Sequence, residues 1–252
     1  MTDVLICGAN GKMGRVVADI ISNTPDCEVI AGIDKAPELP AHFPVFTDFD
    51  DLKYNIDVII DFSHPSLLDS LLDFAIKNKI PTVIATTGYN DEQRKKIEEA
   101  SKHIPVFFTY NMSLGINLLV ELAKTAANIL GNNFDIEIIE KHHNQKIDAP
   151  SGTAYMLADA INSVFDNKLQ YEFDRHAKRE KRSKNEIGIH AVRGGTIVGE
   201  HDIIFAGRDE VITLSHSAAS KEVFAAGAVK AALFLKNCTP GIYDMSMIIK
   251  SI

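Results

Sequence analysis

The sequence has no tryptophan and only three cysteines among its 252 residues. Cys7, Cys27 and Cys238 are odd in number and widely spaced, and no CxxC pair occurs. This pattern argues against a disulfide framework and against a cysteine-based structural zinc site. The three residues are typical of small buried side chains in a reducing compartment. We therefore expect the chain in the cytoplasm.

An excess of positive charge is also missing, because 26 Lys and Arg stand against 34 Asp and Glu, a formal net charge of −8. Nucleic-acid binding requires positive charge to neutralise phosphates, so no nucleic-acid partner is expected. The N-terminus lacks the charged start and long apolar stretch of a signal peptide, and no apolar run is expected to reach membrane-spanning length. We expect no membrane partner.

The first 113 residues alternate short apolar segments with helical patterns. Strands are predicted at residues 4–7, 29–33, 58–60, 81–85 and 104–108, and helices at 16–21, 66–77 and 91–102. Because the connections are short, this alternation predicts a parallel sheet covered on both faces, with ligands at the carboxyl ends of the strands.

A glycine-rich turn separates the first strand from the first helix. Gly8, Gly11 and Gly14 recur every three residues, which allows a backbone to approach a pyrophosphate at a helix N-terminus. Asn10 stands where the usual fingerprint has its second glycine, so the motif alone also fits a merely tight strand-helix connection. The turn favours a Rossmann-like dinucleotide-binding domain.

Asp34 strengthens that interpretation, because it ends the second strand 20 residues after Gly14. An acidic residue at this place accepts hydrogen bonds from an adenosine ribose. Lys35 follows and can pair with the 2′-phosphate of NADP. We expect NADH and/or NADPH as cofactor, without a firm preference.

The most chemically dense stretch is 140–154, EKHHNQKIDAPSGTA. Apolar residues alternate with acidic ones over 134–138, which predicts a half-buried strand that delivers His142 and His143 at its end. Histidine exchanges a proton near neutral pH and Lys146 adds a positive charge or an acidic proton. Adjacent histidines point to opposite sides of a strand and no further ligand follows at zinc spacing, so we expect no metal.

A helix predicted at 154–164 must begin inside the same stretch. Asp148, Pro150 and Ser151 are helix-start residues, with a side-chain oxygen for the free amides and a proline at the first turn. Gly152 and Thr153 would then present backbone amides to a carboxylate or a phosphate. An ordinary capped helix is the alternative for Ser151 and Gly152 alone.

The remaining segments predict a second domain inserted into the first. A helix is expected at 115–130, short strands at 187–193, 196–200, 202–206 and 211–216 in a mixed or antiparallel sheet, and a final helix at 221–236. The basic run 175–184 is interpreted as a solvated loop. His201 and His216 are interpreted as structural histidines at a sheet edge. The predicted division is 1–113 with 220–252, and 114–219.

The stretch 140–154 closely resembles the signature of the dihydrodipicolinate reductase family, and the resemblance extends through the glycine turn, Thr86-Thr87, the region of Asn111 and the segment 198–201. It implies NAD(P)H-dependent reduction of 4-hydroxy-tetrahydrodipicolinate to tetrahydrodipicolinate, with loss of water, in lysine and diaminopimelate biosynthesis. It also implies a homotetramer that binds a small dicarboxylate, with 114–219 as the substrate-binding and tetramerisation domain and the remainder as the dinucleotide-binding domain.

The resemblance also implies residue roles. His142 would be the general acid/base, Lys146 the proton donor, His143 a substrate contact, and Gly152 with Thr153 a cradle for a substrate carboxylate. Which of His142 and Lys146 delivers the decisive proton stays open. The cofactor positions it implies are Gly8, Ala9, Asn10, Gly11, Lys12, Met13, Asp34, Lys35, Ala85, Thr86, Thr87, Thr109, Tyr110, Asn111 and Met112.

Three positions depart from the family pattern: His64 stands where some members have arginine, Ala85 where glycine is frequent and Met112 where phenylalanine is found. Two other functions remain compatible with the residues. One is a different nicotinamide-dependent dehydrogenase acting on an amino-acid-derived carbonyl. The other is a dinucleotide sensor without catalysis, against which the joint presence of His142, His143 and Lys146 argues.

Overall fold

The computed structural model describes residues 1–37 and 42–251. Its strands within these ranges are β1 (Thr2–Cys7), β2 (Cys27–Ile33), β3 (Val45–Phe46), β4 (Val58–Asp61), β5 (Thr82–Ile84), β6 (Pro105–Phe108), β7 (Asp135–His142), β8 (Gln170–Glu172), β9 (Glu186–Arg193), β10 (Gly199–Ala206), β11 (Val211–Ala218) and β12 (Gly241–Tyr243). Its α-helices are α1 (Lys12–Ser22), α2 (Leu68–Asn78), α3 (Asp91–Ala100), α4 (Leu114–Leu130), α5 (Gly152–Val164), α6 (Glu222–Leu235) and α7 (Met245–Ser251). Single 3₁₀ turns lie at Phe49–Asp51, Pro65–Leu67 and Gly131–Asn133.

The chain divides into two compact units. The first unit contains Met1–Ser113 and Glu222–Ile252, and the second contains Leu114–Lys221. The second boundary lies two residues later than the sequence division at 219/220, because α6 begins only at Glu222.

The first unit is built on a parallel sheet of seven strands in the described residues, in the order β12-β6-β5-β4-β1-β2-β3. All its strand pairs are parallel, so the expected Rossmann-like sheet is confirmed. β1 is fully buried from Val4 to Cys7, as expected for a central parallel strand with both faces covered. β1 lies between β2 and β4, and the strand order reverses there, which opens a crevice at the carboxyl ends.

Two strands of this sheet were not predicted from the sequence. Strands β3 and β12 contain two and three residues, too few to show a period, and both lie at sheet edges. The helix predicted from residue 66 begins instead as the 3₁₀ turn Pro65–Leu67, and α2 starts at Leu68. His64 caps that turn, because its Nδ1 accepts the amide hydrogen of Ser66.

The second unit contains a mixed sheet of five strands in the described ranges, in the order β11-β10-β7-β9-β8. β10 is antiparallel to β11 and β7, whereas β9 is parallel to β7 and β8, so the mixed sheet is confirmed. The strands predicted at 196–200 and 202–206 merge into one strand, β10, which begins only at Gly199. Glu200 and Asp202 alternate there with buried His201 and Ile203, and the charged residues occupy one face of the strand and not a turn.

The interpretation of 175–184 as a solvated loop was wrong for Arg182. Its side chain is 17% exposed and donates hydrogen bonds to Glu137 Oε1 and to the carbonyls of Ile136 and Glu186. The guanidinium therefore ties this segment to β7 and β9.

The expectation about membrane-spanning length was also wrong, because Leu114–Asn133 is long and apolar enough to cross a membrane by length and composition. Core helices of soluble proteins meet the same criteria. α4 packs on α5 and on β11, and its buried residues include Ile116, Leu119 and Ala123. This packing accounts for the apolar residues on one face of α4, while Leu118, Leu122 and Ile129 are exposed.

Candidate active site

β7 carries two titratable side chains on the face that packs against the core of the second unit. Its residues alternate in burial along the strand, so Glu140 and His142 share a face with Ile136 and Ile138. Glu140 is fully buried and His142 is 8% exposed. His143 follows the end of the strand and is half-buried. A buried carboxylate needs hydrogen-bond donors, and this one has four.

The carboxylate of Glu140 receives two donors on each oxygen. Oε2 lies 2.6 Å from His142 Nδ1 and 2.7 Å from an Arg193 nitrogen. Oε1 accepts from the second Arg193 nitrogen at 2.7 Å and from the Ser151 backbone amide at 2.9 Å. Burial raises the pKa of Glu140, but the hydrogen bonds from Arg193, His142 and Ser151 outweigh it, so the pKa falls below its usual value. Glu140 is therefore an ionised acceptor.

This arrangement fixes the chemistry of the two ring nitrogens of His142. An ionised carboxylate cannot donate, so His142 Nδ1 carries the proton of their hydrogen bond. In the neutral ring Nε2 is then the unprotonated nitrogen, the one that can accept a proton. A Cβ placed on Gly199 would lie 3.2 Å from that Nε2, so the glycine leaves room beside it.

The turn into α5 begins at Ser151, which is its N-cap, and Ser151 Oγ accepts from the Ala154 amide at 3.1 Å. The predicted roles of two other helix-start residues were wrong. Pro150 precedes the N-cap instead of occupying the first turn, and the Asp148 side chain pairs with Lys146 at 2.8 Å. Gly152 is the exposed first residue of α5, and Thr153 is the second.

His201 lies against this site. Its Nε2 is 3.2 Å from Ser151 Oγ, and its ring meets the ring of His142 edge-on with centroids 5.3 Å apart. Burial and the nearby His142 lower the pKa of His201 to about 4. The expected sheet-edge position was wrong for His201, because β10 is paired on both sides. His216 does lie on the edge strand β11.

Lys146 is placed on the loop between β7 and α5. Its backbone amide donates to the His143 carbonyl, and its side chain is 22% exposed and paired with Asp148. That ammonium group holds the pKa of Asp148 below its usual value. Within the part of the chain that the structure describes, no hydrogen bond joins the Lys146 and His142 side chains. The two predicted proton carriers thus lie at the end of β7 and on the loop that follows it, without a direct bond.

In the first unit, the glycine turn has the close packing that a dinucleotide cradle requires. Gly8 has a φ of +77°, and a Cβ on Gly14 would collide with the Gly8 carbonyl oxygen. Gly11 is the N-cap of α1, and in the described residues no side chain caps that helix. The first amides of α1 therefore suit a pyrophosphate.

A cavity of about 320 Å³ opens beside this turn at the carboxyl ends of β1, β2 and β4. Four predicted cofactor residues line it: Gly8, Gly11, Asp34 and Lys35. Asp34 accepts from the backbone amides of Asn10 at 2.9 Å and Ala36 at 3.1 Å, so its carboxylate ties the glycine turn to the end of β2. These residues fit a nicotinamide dinucleotide.

The other predicted cofactor residues are more scattered. Ala9 and Asn10 line a larger cavity of about 610 Å³ between α1 and β2, while Lys12 and Met13 begin α1. Half-buried Ala85, buried Thr86 and exposed Thr87 follow β5, and Thr109, Tyr110 and Asn111 follow β6. Met112 is 5% exposed, and its carbonyl packs against Gly227 of α6.

Two of these positions have distinctive surroundings. Thr86 Oγ1 is buried near Asp61, yet among the described residues no partner meets normal hydrogen-bond geometry. Such an atom suits a polar group of a bound cofactor. Tyr110 is 79% exposed, and the Arg94 guanidinium lies 5.6 Å from its ring centre.

Sequence reasoning missed the roles of Glu140, Arg193, Gly199 and His201 in this site. A signal for the first was available, because Glu140 and His142 are two residues apart on a predicted strand and share its face. Arg193 and His201 belong to β9 and β10, which are distant from β7 along the chain although they pair with it in the sheet. No local sequence pattern places them beside His142.

Family models match nearly the whole chain. The model described as "Dihydrodipicolinate reductase, N-terminus" matches residues 2–112, and "Dihydrodipicolinate reductase, C-terminus" matches 115–249. A protein of Caldanaerobacter subterraneus subsp. tengcongensis named 4-hydroxy-tetrahydrodipicolinate reductase is 57% identical over 99% of each chain. One of Clostridium tetani with the same name is 48% identical over 100% of this chain and 98% of its own.

A solved structure is also similar. The dipicolinate-bound dihydrodipicolinate reductase of Paenisporosarcina sp. TG-14 has a TM-score of 0.80, is 28% identical and covers 97% of each chain. The expected reductase activity and the expected use of NAD(P)H are confirmed at the level of the family. The chain belongs to the dihydrodipicolinate reductase family.

Proposed function

We propose that the chain reduces 4-hydroxy-tetrahydrodipicolinate to tetrahydrodipicolinate with loss of water, as a cytoplasmic step of lysine and diaminopimelate biosynthesis. The names of the similar proteins support this substrate, and the Paenisporosarcina protein binds dipicolinate, a planar dicarboxylate. The observation that carries the proposal is the site on β7 and α5. There His142, held by a buried carboxylate, lies near a helix N-terminus suited to an anion.

Each unit supplies part of the chemistry. The first unit binds NADH or NADPH through the glycine turn, α1 and Asp34, and the bound cofactor supplies the hydride. In the second unit, the amides of Gly152 and Thr153 and the cation of Lys146 hold a substrate carboxylate, with His143 as a further contact.

The reaction also needs a proton, because hydride addition and loss of hydroxide as water consume one proton for each turnover. The His142–Lys146 pair supplies it. His142 exchanges its proton through Nε2, since Nδ1 is occupied by Glu140. Lys146 carries an ammonium proton on the loop that follows β7.

We further propose that the protein is a homotetramer assembled through the second unit. The edge strand β11 supports this, because in the described residues it pairs with β10 alone and Val211 is 63% exposed. Light scattering on the purified protein tests the assembly. A mass four times that of one chain is expected, and a monomer at micromolar concentration would contradict it.

A coupled assay tests the activity. The preceding synthase makes the substrate in situ from pyruvate and aspartate semialdehyde, and the oxidation of NADH or NADPH is followed by absorbance. Oxidation should require both precursors and this protein. If the synthase works and cofactor binds but no oxidation follows, the proposed substrate is wrong. Turnover of another amino-acid-derived carbonyl would then favour a different dehydrogenase. Binding of the cofactor without any turnover would favour a dinucleotide sensor.

A further inference from the structure

Glu140 joins three parts of the second unit at one buried point. It belongs to β7, its Arg193 partner ends β9, and its Ser151 partner caps α5. The same carboxylate therefore determines the position of the histidine ring and of the helix start that would hold a substrate carboxylate.

The hydrogen-bonding capacity of Glu140 is full. An ionised carboxylate has about four lone-pair sites, and His142, Ser151 and the two Arg193 nitrogens fill them. Since the side chain is 0% exposed, no acceptor is left for a substrate. Glu140 can therefore act on the reaction only through the groups that it holds.

The two terminal nitrogens of Arg193 are also engaged in more than one hydrogen bond each. Besides Glu140, its terminal nitrogens donate to the carbonyls of Val192 at 2.7 Å and Asp148 at 2.6 Å. The bond to Asp148 links the Glu140–Arg193 pair to the loop that carries Lys146, because the Asp148 side chain also pairs with Lys146. The bidentate bond of Arg193 to Glu140 keeps the carboxylate ionised and fixed in orientation.

We propose that Glu140 is the positioning residue of the proton-transfer site, holding His142 with its proton on Nδ1 and Nε2 as the exchanging atom. This inference rests on the proposed function for its kinetic consequence alone, because the position of the ring proton is a property of the free protein.

A carboxylate-to-amide change isolates this role. In Glu140→Gln, one oxygen becomes an NH₂ group. This group must face either His142 Nδ1 and one Arg193 nitrogen, or the Ser151 amide and the second Arg193 nitrogen. In either orientation the NH₂ group faces other hydrogen-bond donors and cannot accept from them. In one orientation the amide oxygen still accepts from His142 Nδ1, and in the other the NH₂ group faces that nitrogen, so the ring no longer has a single fixed tautomer while the side-chain volume hardly changes.

Glu137→Gln is a matched control. Glu137 lies on the same strand but on the opposite face, where its Oε2 is 2.8 Å from His190 Nε2 and its Oε1 accepts from Arg182 at 2.8 Å. It is thus also a glutamate bonded to a histidine and an arginine, away from His142. Its replacement by glutamine should leave both the His142 ring and the turnover unchanged.

The primary readout is ¹⁵N NMR of the histidine rings in the free wild-type protein at pH 8, with His142 assigned by a His142→Gln variant. We expect a protonated Nδ1 and an unprotonated Nε2 for His142. In Glu140→Gln, both nitrogens should move to intermediate shifts, while the Glu137→Gln spectrum keeps the His142 signals of the wild type. A wild-type His142 with its proton on Nε2 would overturn the inference, even if Glu140→Gln failed to fold.

The second readout is kinetic. In the coupled assay, Glu140→Gln should lower kcat about a hundredfold, with the KM for the cofactor within about threefold of the wild type. A kcat equal to that of Glu137→Gln would overturn the inference. If the wild type shows the expected tautomer but reduces no 4-hydroxy-tetrahydrodipicolinate, the proposed function fails and the role of Glu140 in fixing His142 stands.

Discussion

Ser151 Oγ lies 3.2 Å from Nε2 of His201, so the start of α5 is joined to β10 beside His142. The His201 side chain is buried, and the pKa of about 4 means that it is neutral at pH 7. In the unfolded chain a histidine binds its proton near pH 6.5. Between these two values the unfolded state binds more protons than the folded state, so the folded protein loses stability as the pH falls.

His201→Gln should therefore flatten the acid limb of the stability profile. From pH 7 to pH 5, wild-type His201 costs about 2 kcal/mol of unfolding free energy by this linkage. Urea unfolding at the two pH values measures the loss, and His176→Gln, at an exposed position, is the control. An equal loss in His201→Gln and the wild type would show that His201 does not cause it.

The space beside His142 Nε2 predicts the effect of a single methyl group. In Gly199→Ala the new Cβ would lie 3.2 Å from Nε2, and the ring cannot easily move because Glu140 holds Nδ1. We expect kcat to fall at least tenfold, since small displacements of a reacting group are costly. Gly194→Ala is the control, because a Cβ there meets nothing within 4 Å. Equal kcat values in the two variants would remove Gly199 from the site.

Lys146→Ala should lower kcat by orders of magnitude and leave cofactor affinity nearly unchanged, because it removes the proton source and the carboxylate-binding cation that we propose Lys146 to be. Lys141→Ala is the matched control. That lysine pairs with Glu200 and Asp202 on the other face of β7. Initial rates and NADH binding by fluorescence separate the two effects. Turnover of Lys146→Ala at the wild-type level would exclude Lys146 from the mechanism.

Asp34→Ala should discriminate between the cofactors. The substitution removes the carboxylate that we propose as acceptor for the ribose hydroxyls, an interaction worth about 1.5–3 kcal/mol, so the Kd for NADH should rise tenfold or more. NADPH should be affected less, because the lost carboxylate also repelled a 2′-phosphate and Lys35 remains beside it. Fluorescence titration with both cofactors measures the change. An equal rise for NADH and NADPH would indicate general damage to the glycine turn, since Asp34 also holds Asn10 and Ala36.

Local pattern was enough for most of the fold. The alternation in β7, the glycine turn before α1 and the apolar stripe of α6 all lie within one element each, where sequence period and burial coincide. Strands β3 and β12 were missed because pairing with a neighbour, not their own two or three residues, makes them strands. The prediction ended one strand at Glu200 and began the next at Asp202, because charged residues there suggested a turn, whereas β10 runs through both.

The site was less predictable, for a physical reason. His142, Lys146 and Gly152 follow one another in the chain, but the groups around His142 come from three separate strands and a helix cap. Arg193 lies 53 residues from Glu140 and is brought to it by the parallel pairing of β7 with β9. Glu137 and Glu140 look alike in sequence, and only the face of β7 on which each lies distinguishes them. Glu137 is partly exposed and pairs with His190 and Arg182, whereas Glu140 is buried and pairs with His142 and Arg193.

Transfer of an isotope label tests the central claim most directly. NADH carrying two deuterium atoms at C4 is supplied with substrate formed in situ, and the product is analysed by mass spectrometry. The proposed reduction predicts tetrahydrodipicolinate that is one deuterium heavier, formed only when this protein is present. Unlabelled product, or oxidation of the cofactor without this product, would contradict the claim that the chain transfers hydride to the cyclic dicarboxylate.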